Sequence, residues 1–188
     1  MGDIEKHALS RRPIFLTGYM ASGKTTLGKA LARALGRTFI DLDFYIEQRF
    51  RKPIGAMFAE EGEESFRRRE AAMLRECGEF EDVVIACGGG TPCFHENMDY
   101  MLATGTPVFL HTSVRRIVQR LEINSSRRPL MAGKSGTELR EAVERGLAER
   151  GPVYERAPVH FSGDELEDIR QIETSVAALI KILNQKNF

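Results

Sequence analysis

The stretch Pro13-Ile14-Phe15-Leu16-Thr17-Gly18-Tyr19-Met20-Ala21-Ser22-Gly23-Lys24-Thr25-Thr26 divides into a strand, a loop and the start of a helix. Residues 13–17 are a short apolar run bounded by a glycine, the mark of a buried strand. Gly18 to Thr25 satisfies G-x-x-x-x-G-K-[ST] at every fixed position. Leu27, Ala30, Leu31, Ala34 and Leu35 then recur at helical spacing, and Gly36 stands where such a helix stops. A strand before this pattern and a helix after it are the context in which it forms a phosphate cradle. The glycines let the backbone curl so that successive N–H groups face phosphate oxygens, and the helix aims its positive end at the same place. The amides of Ala21, Ser22 and Gly23 then surround the phosphates of ATP. Lys24 reaches the β and γ phosphates, the Thr25 hydroxyl ligates Mg²⁺, and the Thr26 hydroxyl lies near the α phosphate.

Working outward, the spacing predicts further short strands at Thr38-Phe39-Ile40, Val83–Ala86, Pro107–Leu110 and Pro158–Phe161. Helices are expected over about 43–77, in two or three pieces broken near Pro53 and Gly62, over about 95–103, and along the face Val114, Ile117, Val118 and Leu121. Another is expected to run through about residue 150, and a last one carries Ile172, Val176, Leu179, Ile180 and Leu183. Residues 1–11 are polar and read as a loose tail. Residues 123–136 (INSSRRPLMAGKSG) have no apolar period, and a loop of that length in a compact domain is usually functional. Short apolar strands alternating with amphipathic helices predict an α/β protein with a five-stranded parallel sheet covered on both faces.

The chain has 188 residues, enough to bury about 70% of its unfolded surface, so residues 1–188 are expected to form one domain. Lys+Arg and Asp+Glu are 27 each, which disfavours a broad basic surface for nucleic acid. No run approaches the ~20 apolar residues of a membrane helix, and MGDIEKHALSRR lacks the apolar core of a secretory signal. Three irregularly spaced cysteines, Cys77, Cys87 and Cys93, suit neither a disulfide framework nor zinc, and suggest reduced thiols in a cytoplasmic protein.

The acceptor must be named by the other polar residues. Asp41 and Asp43 follow the second strand, and ligands of an open parallel sheet collect beyond the carboxyl ends of its strands. One carboxylate can hold Mg²⁺ through water and the other can accept a hydroxyl hydrogen; alternatively Asp43 caps the helix that starts there. Arg67, Arg68 and Arg69 point about 100° apart on a helix, so they cannot all enter one site. Arg128, beside Pro129 in the long loop, can close over phosphates, and Arg150 precedes Gly151-Pro152 at a helix end. Gly88-Gly89-Gly90 permits close backbone approach to a ligand, or is a plain tight turn.

In combination, GYMASGKTT, FIDLD, GEESFRRRE, ACGGG, RRPL and ERGPVY resemble the shikimate kinase family from about Pro13 to Leu183. The resemblance implies a three-layer P-loop kinase fold with a mobile lid at 123–136, and ATP-dependent phosphorylation of the 3-hydroxyl of shikimate on the route to chorismate. It puts Asp43 on the reacting hydroxyl, Arg67 and Arg150 on the substrate carboxylate, and the Gly89 backbone against the substrate. It puts Arg128 on ATP, Arg120 beside the adenine and Asp41 in the outer sphere of Mg²⁺. ATP and shikimate are the partners it implies; the charge balance and the lack of a long apolar run argue against nucleic acid and membrane, the cysteines suggest the cytoplasm, and, with no sequence feature marking an obligate interface, a monomer is expected. Ala21 stands where many members have glycine, and SGDELEDIRQ holds no clear match to the family's late adenine-contacting arginine. A kinase for gluconate or a nucleoside monophosphate fits the D-L-D, F-R, GGG and R-x-P-x-Y set less well. A non-catalytic nucleotide-binding module would need damage at Lys24, Thr25 or Asp43, and all three are present. Lys24→Met is expected to keep the fold and to lower turnover about 10²–10³-fold or more, as read by ADP release beside a melting curve.

Overall fold

The computed structural model describes residues 10–123 and 136–186. The expected lid, with Arg127 and Arg128, falls almost wholly outside the described residues, as does most of the N-terminal tail. The described chain runs β1 (Ile14–Thr17), α1 (Lys24–Leu35), β2 (Thr38–Asp41), α2 (Leu42–Phe50), α3 (Ile54–Gly78), β3 (Val83–Ala86), a single 3₁₀ turn at Thr91–Cys93, α4 (Asn97–Thr104), β4 (Thr106–His111), α5 (Val114–Ile123), α6 (Gly136–Tyr154), β5 (Val159–Ser162) and α7 (Ile169–Gln185).

All five strands are parallel, in the order β2-β3-β1-β4-β5. β1 lies in the centre, between β3 and β4. Chain leaving β1 goes first to one side of the sheet and later returns to the other, which opens a crevice beyond the carboxyl end of β1, where the glycine loop begins.

Alternation along β1 explains the layers. Ile14 and Leu16 face one side and pack with Leu27 and Leu31 of α1, Val84, Val108 and Leu110 of the sheet, and Leu179 and Leu183 of α7. Phe15 faces the other side and packs with Leu42 and Ile46 of α2, Met57 and Leu74 of α3, Ile85 and Met101. Phe109 of β4 joins a third cluster with Tyr19, Ile117, Leu139, Val143 and Tyr154, which seats α5 and α6 beside the loop.

The expected helix breaks are present. Pro53 stands at the N-terminus of α3, and Gly62 interrupts α3 with φ 78° and ψ 169°, a conformation that needs glycine. Boundaries differ in two places. α6 runs on to Tyr154, so Arg150 lies within the helix and not at its end. Pro152 removes one donor, but Glu155 N–H still reaches the Gly151 carbonyl at 2.9 Å, so the last turn closes. Ser10 and Arg11, the described part of the polar tail, are tied down: Arg37 donates to the carbonyls of Ser10 and Arg12, and Arg11 pairs with Asp82 at 2.8 Å. Arg11, Arg37 and Asp82 lie at the amino end of the sheet, opposite the crevice. Among the described residues no helix is long and apolar enough to cross a membrane.

Gly105, between α4 and β4, belongs to that same far end. A β-carbon there would stand 2.3 Å from the Pro13 carbonyl oxygen, which backbone cannot yield easily because it accepts the Thr106 N–H at 2.9 Å. Gly105→Ala is expected to lower stability by about 1–3 kcal/mol in urea unfolding. Turnover per folded molecule should be unchanged, because the clash is at the opposite edge of the sheet from the crevice.

Candidate active site

The loop from Gly18 to Gly23 is built around the Lys24 ammonium. Its Nζ donates to the carbonyls of Gly18 at 2.9 Å and Tyr19 at 2.7 Å and to Ser22 Oγ at 3.3 Å. This internal wiring holds a buried cation at the mouth of α1. Gly23 caps α1 at φ 101°. Ala21 takes φ 59°, in the left-handed region, which gives the physical reason why glycine suits this position. Thr26 is exposed in the first turn of α1.

Arg120 completes the loop from outside. It donates to the Ala21 carbonyl at 3.1 Å and the Gly163 carbonyl at 2.8 Å, and pairs with Glu167 at 2.7 Å. It therefore joins α5, the cradle and the segment after β5.

The two aspartates divide their roles in an unexpected way. Asp41, not Asp43, caps α2, with Oδ1 accepting from the Phe44 N–H. Its Oδ2 accepts from the Thr25 hydroxyl at 2.9 Å. A hydroxyl and a carboxylate of this kind, at a helix N-terminus that takes phosphates, are hard oxygen donors and fit Mg²⁺. Among the described residues no three His, Cys, Asp or Glu gather to cage an ion.

Asp43, relieved of capping, faces the crevice. Water reaches it, yet protein surrounds it on the remaining sides. That desolvation, with Glu70, Asp41 and Glu47 nearby and only Lys24 opposing, pushes its carboxyl up from 3.8 to about 6. At neutral pH it is still ionised, and it is a better proton acceptor than a free aspartate.

The second half of the site is organised by the three glycines after β3. None has a positive φ. Gly88 and Gly90 serve close approach, and Gly89 has more room. A β-carbon at 88 would lie 2.7 Å from Asp43 Oδ1, one at 89 would lie 3.6 Å from Arg150 Nη1 and 3.3 Å from the Met20 nitrogen, and one at 90 would lie 2.6 Å from Arg67 Nη2. Residues 88–90 thus touch, in order, the candidate base, the cradle with one candidate carboxylate-binding arginine, and the other such arginine. Gly90 is buried, and its N–H has no acceptor among the described residues.

Of the three successive arginines only Arg67 turns inward. Arg68 is exposed beside Glu64, and Arg69 pairs with Glu61 and lies over Phe50 at 4.9 Å. Arg67 donates to Glu70 at 2.8 Å and Glu63 at 3.0 Å, and its guanidinium lies 4.3 Å from the centre of the Phe94 ring. Burial works against its charge, and Glu70 and Glu63 more than offset this, raising its pKa. Glu70 is 1% exposed and also accepts the Thr91 hydroxyl at 2.6 Å. Arg150, on α6, lies over the Tyr19 ring at 5.7 Å. Four residues on, buried Tyr154 donates its hydroxyl to the Gly89 carbonyl.

The described residues therefore bring together Lys24, Thr25, Asp41, Asp43, Arg67, Gly89 and Arg150, with Arg120 behind the cradle. Glu70, Thr91 and Tyr154 escaped the sequence reading. Glu70 stands three residues after Arg67, a spacing at which helix side chains meet, and that signal was available. The cysteines are free thiols, with Cys77 pushed up to about 12 and Cys87 and Cys93 also raised by burial, which disfavours the thiolate form of each.

A family model described as shikimate kinase matches residues 20–181. A shikimate kinase of Bacteroides fragilis is 54% identical over 171 residues, covering 91% of this chain and 96% of that protein. The crystal structure of a shikimate kinase from Bacteroides thetaiotaomicron superposes with a TM-score of 0.89 at 50% identity, covering 92% of this chain and 98% of that one. A shikimate kinase from Acinetobacter baumannii in complex with shikimate gives 0.80 at 32% identity, covering 93% and 94%.

Asp43 dictates the pH response of the site. Its native pKa lies above the unfolded value, so between about 4 and about 6 the native state holds a proton that the unfolded chain has lost, and its share of stability falls as pH rises through that window. Asp43→Asn is expected to melt higher than wild type above pH 6, with the gain shrinking toward pH 4, while turnover falls about 10²–10⁴-fold. In the unaltered protein the acid limb of kcat/KM should bend near about pH 6, against about 4 for an ordinary aspartate.

Proposed function

Because this chain belongs to the shikimate kinase family, and so phosphorylates shikimate with ATP, we propose that the crevice over residues 88–90 takes the shikimate ring and presents its 3-hydroxyl to the γ phosphate. The product is shikimate 3-phosphate, an intermediate on the way to chorismate. The observation that carries this reading is the convergence of Asp43, Arg150 and Arg67 on three successive glycines that also abut the cradle.

In this reading the substrate carboxylate lies between Arg67 and Arg150. Arginine suits it because the planar fork gives two parallel charge-assisted hydrogen bonds. Glu70 and Thr91 fix the Arg67 fork before substrate arrives, so little side-chain entropy remains to be lost on binding. Asp43 accepts the 3-hydroxyl proton at Oδ1 as the hydroxyl oxygen bonds to the γ phosphorus and the bond to the β-phosphate oxygen breaks. Lys24 and the loop amides neutralise charge on the transferring group. Thr25 and Asp41 would hold Mg²⁺, which would supply charge neutralisation to the phosphates. Arg128 is assigned to ATP and Arg120 to the adenine side on sequence grounds. Arg120 already touches the cradle carbonyl of Ala21, which supports that side for the base. The protein is proposed to act in the cytoplasm, which its free thiols suit, and as a monomer.

The two carboxylate arginines should fail differently. Arg67→Ala strands Glu70, and breaking a buried ion pair costs about 3–5 kcal/mol of stability. Arg150→Ala removes a cation that lies over a ring and meets a neutral hydroxyl, and it strands no buried carboxylate, so stability should fall less than in Arg67→Ala while shikimate binding weakens by about 2–5 kcal/mol in calorimetry. A shikimate analogue with a neutral amide in place of the carboxylate should bind wild type poorly and lose little more in Arg150→Ala. Equal penalties for shikimate and the amide would remove Arg150 from the carboxylate.

A further inference from the structure

We infer that Tyr154 is a positioning residue for the substrate: its hydroxyl pins the Gly89–Gly90 peptide, and so sets the direction in which the Gly90 N–H points. The inference rests on the proposed shikimate crevice and adds to it a residue that touches neither substrate nor nucleotide.

Four observations support it. The Tyr154 side chain is fully buried and its hydroxyl donates to the Gly89 carbonyl. In a trans peptide the carbonyl and the following N–H point in opposite directions, so holding the Gly89 oxygen toward α6 aims the Gly90 N–H away from it. Gly90 is a buried residue and its N–H has no acceptor among the described residues, a rare condition for a backbone donor in such a place and one that a ligand oxygen relieves. Finally, Tyr154 stands one helical turn after Arg150, whose guanidinium also reaches the tyrosine hydroxyl, so the arginine and the hydroxyl share one face of α6 and address neighbouring points of the same turn.

The ring is held independently of the hydroxyl, which makes the two separable. It packs on Phe109 with centroids 5.3 Å apart. Burial keeps the phenol pKa well above its ordinary value, so the group remains a donor throughout the working pH range.

The test is Tyr154→Phe, which deletes only the oxygen. KM for shikimate is expected to rise about 5–20-fold, the scale of one buried hydrogen bond acting through geometry, with kcat and KM for ATP within about twofold of wild type. Phe109→Leu is the packing control: it loosens the ring but keeps the hydroxyl, and should lower the melting temperature while leaving KM for shikimate unchanged. In the unaltered protein, shikimate alone should slow hydrogen exchange at the Gly90 amide, and this measurement stands even if Tyr154→Phe fails to fold. A shikimate KM within twofold of wild type in Tyr154→Phe, an equal rise in both KM values, a like effect from Phe109→Leu, or an unchanged Gly90 exchange rate would each overturn the inference. If instead Arg150→Ala leaves shikimate affinity intact, it is the placement of substrate in the crevice that fails, a result Tyr154→Phe alone does not produce.

Discussion

Everything at the acceptor side depends on how closely four groups can approach the backbone between Gly88 and Gly90. The Asp43 carboxylate, the Arg67 and Arg150 guanidiniums and the Met20 amide come from different elements, and each stands within 3.6 Å of where a β-carbon would be. A methyl group at position 88 or 90 would force Asp43 or Arg67 to shift, and one at 89 would fill the remaining space between the Met20 amide and Arg150. The turn follows β3, next to β1 in the sheet, so it faces the cradle across the crevice. A parallel sheet with its crossover at β1 thus does more than support the site. It sets the loop that receives phosphates and the turn that receives the acceptor side by side, and distance alone then favours transfer between them.

The charges around that turn are arranged so that none is stranded. Lys24 is buried but wrapped by carbonyls, Arg67 is buried but clasped by Glu70 and Glu63, and Glu70 is buried but shared between Arg67 and Thr91. Asp43 has no cation in direct contact among the described residues, and desolvation together with the nearby charge of Glu70 raises its pKa. Glu70 contributes to both results. It holds the arginine that meets the substrate, and its own charge makes the adjacent aspartate more willing to take a proton. A single buried glutamate so connects substrate recognition to the basicity of the group that accepts the hydroxyl proton.

The fold was legible because its signals are local. The strand–cradle–helix unit, the breaks at Pro53 and Gly62 and the five apolar strands can each be read within a window of a few residues, and each is present. The end of α6 was misjudged because Pro152 reads as a stop, whereas the closing bond from Glu155 to Gly151 is visible only in three dimensions. At the site, residues inside a motif were legible and residues that support a motif were not. Asp41 and Asp43 were found together, but which of them caps α2 depends on the direction in which the chain leaves β2. Tyr154 was quoted within ERGPVY without a role, because its partner is a backbone oxygen 65 positions away and a carbonyl carries no sequence signature.

The two ends of the sheet answer to different constraints. At the amino end, Arg37, Asp82 and Arg11 pair with one another and with backbone carbonyls, and Gly105 sits hard against Pro13. These contacts are fully made in the free protein, so their worth is spent on stability. At the carboxyl end the contacts are made only in part: the Gly90 N–H has no protein acceptor among the described residues, Arg150 lies over the Tyr19 ring and against the Tyr154 hydroxyl with no carboxylate as its ion-pair partner among the described residues, and Asp43 has a pKa moved toward neutrality. Each unmet demand is one that a hydroxylated carboxylate can satisfy. Substrate binding should therefore stabilise the folded state through the carboxyl end alone. The cost of leaving those groups incomplete is carried by the amino end, where nothing has to move.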